Sequence, residues 1–368
     1  MIILGKLEKL ASTIVNYSVK LKCDDKVSVT FGVEAIDLVE AIILECRKVG
    51  AIVSLNMVDT RLNALVAETT SDKRVEMLKK KSEAEVEMFD AFIHIRCNNN
   101  DYETKEISPE IFKKIGEATR ESSDIRINEK EWVLLNYPTK TDAFKAKMSS
   151  SKFFDFSFDV MNVDYALMNE AVKPLKELMD KTEMVRIISP NTDISFSIKD
   201  MGSIPCCGER NIPDGEIYSA PIKTSVNGVI TYNTPCPYQG EVYTNVSLTF
   251  EDGCIVRATC SEDDDSLNKI FDTDSGSRYV GEFALGFNPM ILKPMGDILY
   301  DEKILGSLHF TPGRCYKDCD NGNMSSIHWD MVLIQTEEFG GGEIYFDDVL
   351  IRKDGKFVLE NLKQLNYE

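Results

Sequence analysis

Val27-Ser-Val-Thr-Phe31, then the run Ala35 to Val49, then Gly50 and Ala51 to Met57, is the stretch on which the fold turns. The first piece alternates as a strand. Ile36, Val39, Ile43 and Cys46 then return at helical spacing, Arg47 and Lys48 occupy the last turn, and Gly50 stops the helix. Ala51 to Met57 is again an apolar strand. Upstream, Ile3, Leu7, Leu10 and Ile14 make one helical stripe. Downstream, a charged helical stretch (Asp72 to Met88) leads into the strand Ala91-Phe-Ile-His-Ile95, and Trp132 to Thr139 reads as one more strand, ended by Pro138. Strands that alternate with helices need crossover connections, so this part is an α/β domain with a mainly parallel, twisted sheet.

After about residue 180 the helical signals thin out. Val185 to Ile188, Asp193 to Ile198, Gly228 to Tyr232 and Tyr243 to Phe250 read as short strands between Gly, Asn, Asp and Pro. Glu343 to Arg352 and Lys356 to Leu359 flank Asp354-Gly355, a hairpin signal. The expectation is two domains: residues 1–180, α/β, and residues 181–368, a β-rich α+β domain that carries the metal-binding candidates below.

The chain has 368 residues, 61 acidic against 42 basic, for a net charge of −19, and 43% of it is apolar. That length and composition support a buried core. The charge repels phosphate backbones and argues against nucleic-acid or anionic-membrane binding. No apolar run approaches the roughly 20 residues of a membrane helix, and Glu8 and Lys9 fall where a leader would be apolar. These features predict a cytoplasmic protein whose ten irregularly spaced cysteines are buried or partly buried free thiols.

There are only three histidines, and two fall close together. In Ser325 to Leu333, which has strand character, His328 and Asp330 are two apart and share a face. His-x-Asp on its own also fits an imidazole hydrogen-bonded to its neighbour. His309 precedes the loop Thr311-Pro-Gly-Arg314, and Asp301-Glu302 lies seven residues before it. Glu282 sits inside the apolar, Gly-flanked segment Tyr279 to Gly286, where an unpaired carboxylate would be costly to bury, and Glu216 follows a Pro-Asp-Gly turn. Such carboxylates and imidazoles form an N/O donor set suited to one or two divalent ions such as zinc, cobalt or manganese. His94, inside an apolar strand, reads as structural. Asp272-x-Asp274 and Gly340 to Gly342 read as turns, and Glu262 to Asp265 as a solvated one.

Asn136-Tyr-Pro-Thr139, Asn191-Thr-Asp193, Asn211-Ile-Pro-Asp-Gly-Glu216, Gly281-Glu-Phe-Ala-Leu-Gly286, Asp301-Glu302 with His309, and Ile327-His-Trp-Asp-Met331 occur in this order. In these segments the chain resembles the thermophilic metallopeptidase family of aminopeptidases, typified by aminopeptidase T, aminopeptidase S and PepS. The resemblance implies a two-domain, dimeric, dinuclear exopeptidase. It further implies Glu216, Glu282, His309, His328 and Asp330 as metal ligands, with Glu302 as a sixth. Tyr316, seven residues after His309, stands in the place of the family's catalytic tyrosine, although Pro312 and Arg314 depart from the family's run.

The function expected on these grounds is removal of amino-terminal residues from peptides by dinuclear-metal-activated water. Glu282 would act as base and Tyr316 as hydrogen-bond donor to the oxyanion. The two rivals are a dinuclear hydrolase of a phosphoester and a non-catalytic scaffold stabilised by metal.

Overall fold

The protein is seen here as a computed structural model that describes residues 2–100, 102–105 and 107–367. It divides into two compact units: Met1–Asn162 with Gly208–Pro213, and Val163–Cys207 with Asp214–Glu368.

The first unit is built on a five-stranded sheet, all parallel, in the order Ile52–Val58, Lys26–Gly32, Ala91–Cys97, Glu131–Tyr137 and Asn211–Ile212. The helix Ile36–Val49 ends on Gly50 at φ +82°, a left-handed conformation that glycine adopts without the strain a side chain would bring. Helix Ile2–Ser12 packs against Ile36–Val49 and Ser150–Met161. Leu7, Leu10 and Ile14 of its apolar stripe are buried; the side chain of Ile3 lies outside the described residues. The apolar strand Ile52–Val58 forms an edge, with Ile52, Leu55 and Met57 exposed, because among the described residues only Lys26–Gly32 pairs with it.

The second unit holds an eight-stranded antiparallel sheet, a two-stranded hairpin and a five-stranded antiparallel sheet. Two expected strands are each divided in two. Tyr243 to Phe250 breaks at Thr244–Val246, where Asn245 takes φ +51° and Glu262 accepts the Thr244 backbone N–H and hydroxyl, leaving Glu241–Tyr243 and Ser247–Glu251. Glu343 to Arg352 folds back at Asp347 (φ +47°) and Asp348 (φ +65°). Two adjacent left-handed residues close a tight hairpin, here between Glu343–Phe346 and Val349–Lys353. Asp354-Gly355 turns the next hairpin, as its sequence predicts.

Phe283 and Phe310 of the five-stranded sheet meet Phe196 of the eight-stranded one with ring centroids 5.0 Å apart in both pairs. All three side chains are fully buried, so the two sheets share this apolar layer. All ten cysteines are free, and Cys23, unlike the others, is exposed because it lies in the turn ahead of the first strand. Among the described residues no helix is long and apolar enough to cross a membrane.

His94 lies in the central strand between Thr30 and Leu134, half-buried. Burial first, then Arg126 and Arg96, lower its pKa from 6.5 to about 4. The unfolded chain therefore takes up a proton near pH 6.5 that the folded chain refuses until about pH 4. The associated stability is complete above pH 6.5 and is lost as pH falls through that window. Urea unfolding at pH 7 and pH 4.5 should show His94→Gln losing about 1–3 kcal/mol less than the parent chain between the two conditions.

Candidate metal centre

The five-stranded sheet runs Val332–Ile334, Ser307–Pro312, Val280–Gly286, Glu216–Ser219 and Ile204–Cys206. Glu282 pairs with Thr311, Ala284 with both His309 and Tyr218, and Gly286 with Glu216. Paired residues project to the same face, and the face alternates along each strand. Glu216, Tyr218, Glu282, His309 and Thr311 thus share one face, while Phe283, Leu285, Leu308 and Phe310 fill the other. A Cβ on Gly286 would lie 2.6 Å from the Ile304 carbonyl, 2.6 Å from Ser307 Oγ and 2.9 Å from the Glu302 carbonyl. The bare position lets the turn after helix Ile298–Asp301 lie against the sheet, and Glu302 reaches the cluster from that turn.

The expected strand Ser325 to Leu333 is regular only at Val332–Ile334. Ahead of that it runs beside 310–314 through single hydrogen bonds: Arg314 N to Ile327 O at 2.8 Å, Trp329 N to Pro312 O at 3.1 Å and Phe310 N to Met331 O at 3.1 Å. Thr311 and Pro312, expected in a loop, belong to the strand Ser307–Pro312.

Six candidate ligands converge in two groups of three: Glu216, Glu302 and His309, and Glu282, His328 and Asp330. Within each group one donor atom per residue lies within 4.8 Å of the others. Glu282 joins the groups, with Oε1 3.3 Å from His309 Nε2 and Oε2 3.2 Å from His328 Nε2. His328 Nε2 is also 3.2 Å from Asp330 Oδ1, and His309 Nε2 is 3.6 Å from Glu216 Oε2. A third group, Cys206, Asp214 and Glu216, adjoins the first.

Neighbouring residues fix these donors. His328 Nδ1 lies 2.7 Å from the Arg314 carbonyl, which can only accept, so Nδ1 carries a proton and Nε2 faces the carboxylates. Thr311 Oγ1 donates to Asp330 Oδ1 at 2.8 Å. Asp274 accepts from Ser325 Oγ and from the N–H and hydroxyl of Ser326, anchoring the segment just ahead of His328. Asp301 turns away from the cluster and accepts the backbone N–H groups of Met295 and Gly296. The Tyr316 ring lies 5.0 Å from that of His328 and 5.4 Å from that of Tyr218, and Tyr316 is 48% exposed. Lys303 is fully buried; its ammonium is 2.6 Å from Glu216 Oε1, bonded to Glu302 Oε1 and 3.8 Å from Asp214 Oδ1.

Four carboxylates in one pocket leave an excess of negative charge, and the protonation of the site reflects it. Burial lifts the pKa of Glu216 to about 8 against the pull of Lys303, and burial also raises that of Glu302. Burial works the same way on Glu282, but hydrogen bonds from His309 and His328 outweigh it and hold its pKa below the usual range. Burial opposes the His309 cation, yet Glu216, Glu282 and Asp330 raise its pKa to about 9. His328 is pushed up in the same sense by Asp330 and Glu282. The imidazoles thus carry protons that a bound cation would replace. Glu216 Oε2 and His309 Nδ1 are buried without a hydrogen-bond partner. An orphaned acceptor aimed at an imidazole nitrogen, among hard oxygen and nitrogen donors, fits a divalent cation.

Sequence reasoning named the six donors and Tyr316 but missed Lys303, Thr311, Asp274 and Gly286. Lys303 stands beside Glu302 in sequence; its burial follows from a turn that local spacing does not reveal.

A family model described as thermophilic metalloprotease (M29) matches residues 4–357. Among curated proteins the chain is similar to Aminopeptidase 2 of Geobacillus stearothermophilus, 30% identical over 164 residues, which is 40% of this chain and 37% of that one. It is also similar to Aminopeptidase AmpS of Bacillus subtilis, 40% identical over 75 residues (20% and 18% of the two chains), and to Aminopeptidase T of Thermus aquaticus, 28% identical over 186 residues (44% of each). The matched stretches thus span less than half the length of these relatives. A solved structure, wild-type AmpT from Thermus thermophilus, superposes with a TM-score of 0.80 at 19% identity, covering 96% of this chain and 99% of that one, which establishes a shared fold.

The contacts at Gly286 carry an expectation of their own. Gly286→Ala should lower unfolding free energy by about 1–3 kcal/mol, because its methyl must displace backbone. Gly116→Ala, inside helix Pro109–Glu129 with nothing within 4 Å, should be neutral or stabilising. Urea denaturation of the two variants in parallel checks the contrast.

Proposed function

The chain belongs to the thermophilic metalloprotease (M29) family, and from that premise we propose that it is a metal-dependent aminopeptidase that removes amino-terminal residues from peptides. The observation that carries this reading is the meeting of six donors in two groups joined by one carboxylate, Glu282. Glu216, Glu302 and His309 would hold one divalent ion and Glu282, His328 and Asp330 another, with Glu282 shared. The donors suit zinc, cobalt or manganese. Such ions, when bound, supply a water of lowered pKa and polarise the scissile carbonyl.

The protein's own groups do the rest. Glu282, which reaches toward both groups, would accept the proton of the attacking water. Although Tyr316 as a whole is half-exposed, desolvation at its hydroxyl and then the field of Glu282, Asp330, Glu302 and Glu216 raise its pKa well above the ordinary tyrosine range. It remains a donor at neutral pH, suited to the oxyanion that develops on the substrate. A pocket rich in carboxylates attracts the ammonium of a free amino terminus, which favours an exopeptidase over a phosphoester hydrolase. The ten free thiols suit a reducing compartment, so we place the protein in the cytoplasm. A homodimer follows the sequence resemblance.

Purified protein should hydrolyse an aminoacyl anilide, lose that activity to a chelator and regain it with zinc, cobalt or manganese. A phosphoester assayed in parallel should not turn over. Tyr316→Phe should reduce turnover by about 10²–10³, and Glu282→Gln should abolish it without loss of the fold. Full turnover by Glu282→Gln, or cleavage of the phosphoester alone, would overturn the reading.

A further inference from the structure

Lys303 is the feature of the centre that a simple two-ion site does not require. Its ammonium takes Oε1 of Glu216 at 2.6 Å and Oε1 of Glu302, two of the three residues of one group. Each of those carboxylates has one oxygen partly taken up by the ammonium, and Glu216 Oε2 is the orphaned atom that faces His309 at 3.6 Å. The other group has no such partner. Among the described residues, Glu282 and Asp330 form ion pairs with His309 and His328 and with no lysine or arginine. Asp214 shares the ammonium at 3.8 Å but is not one of the six donors.

We propose that Lys303 is a tethered cation that makes the two positions unequal. The Glu282–His328–Asp330 group takes its ion first and tightly; the Glu216–Glu302–His309 group takes its ion second and more weakly. The inference rests on the metallopeptidase reading above. Two effects of the same sign support it. An ion at the Glu216–Glu302–His309 group lies one carboxylate away from a fixed positive charge, and repulsion at that range in a buried site is large. The ammonium also engages Oε1 of Glu216 and of Glu302, so this group has fewer lone pairs free for an ion. An opposing effect exists, because Lys303 also holds the two carboxylates in place. The direction of the change on its removal tells which effect prevails.

The test is a zinc titration of metal-stripped protein against a chromophoric chelator, with bound zinc counted by mass spectrometry after gel filtration. Two steps are expected, with Kd values at least about tenfold apart. Asp330→Asn should remove the tight step and Glu302→Gln the weak one. Lys303→Met should bring the two steps together by at least about tenfold. Lys303→Gln serves in its place if circular dichroism shows the methionine variant unfolded, and the spacing in the parent chain stands as a test independent of both. Equal steps in the parent chain, or a spacing that is unchanged or wider without Lys303, would overturn the proposal and leave the metallopeptidase reading intact. Protein that binds no divalent ion under any condition would end both.

Discussion

The second unit is organised around a concentration of buried negative charge. Glu216, Glu282, Glu302 and Asp330 point into one pocket, and Glu216 and Glu282 are only 5% and 3% exposed. A buried carboxylate without a partner costs several kcal/mol, so the surroundings must answer each one. They do so with a buried ammonium, two imidazoles and a threonine hydroxyl. Protons on the imidazoles complete the balance and can be exchanged for metal. A core that needed only stability would have used apolar side chains here, since replacing a buried ion cluster by packed hydrocarbon is often neutral or favourable.

The sheet makes such a cluster tolerable because its two faces do different work. Alternation sends Phe283 and Phe310 to one side, where they close on Phe196, and Glu282 and His309 to the other. The apolar face anchors the strands, so the polar face presents its donors from a rigid frame rather than from loops. Three donors arrive from outside the regular ladder on two segments: Glu302 from a turn, and His328 with Asp330 from a segment held by single hydrogen bonds and by Asp274. Both lie against strands of the same sheet, and the absent side chain of Gly286 makes room for the first.

What the sequence revealed follows the range of the interactions involved. The parallel sheet was legible because helical and strand periods are local, as in Ile36, Val39 and Cys46 against Val27 to Phe31. His328 and Asp330 were legible as a pair because two-residue spacing on an extended chain puts both on one face. Glu282 stood out as a charge in an apolar run. The breaks at Asn245 and at Asp347-Asp348 were not legible, since the surrounding residues favour strands and only left-handed backbone at those positions divides them. The edge position of Ile52–Val58 was hidden too, because an apolar strand reads alike in the centre and at the margin of a sheet.

Lys303 shows why a donor set cannot be read from spacing alone. Glu302 and Lys303 are neighbours on a turn that leaves helix Ile298–Asp301 and re-enters the sheet through Gly306, at φ +78°. The Lys303 backbone accepts nothing from the sheet's ladder but receives the Asn288 N–H at its carbonyl, 2.9 Å away, which fixes the turn at its middle. The turn therefore delivers a carboxylate and its counter-ion together, and any shift of the backbone there moves both.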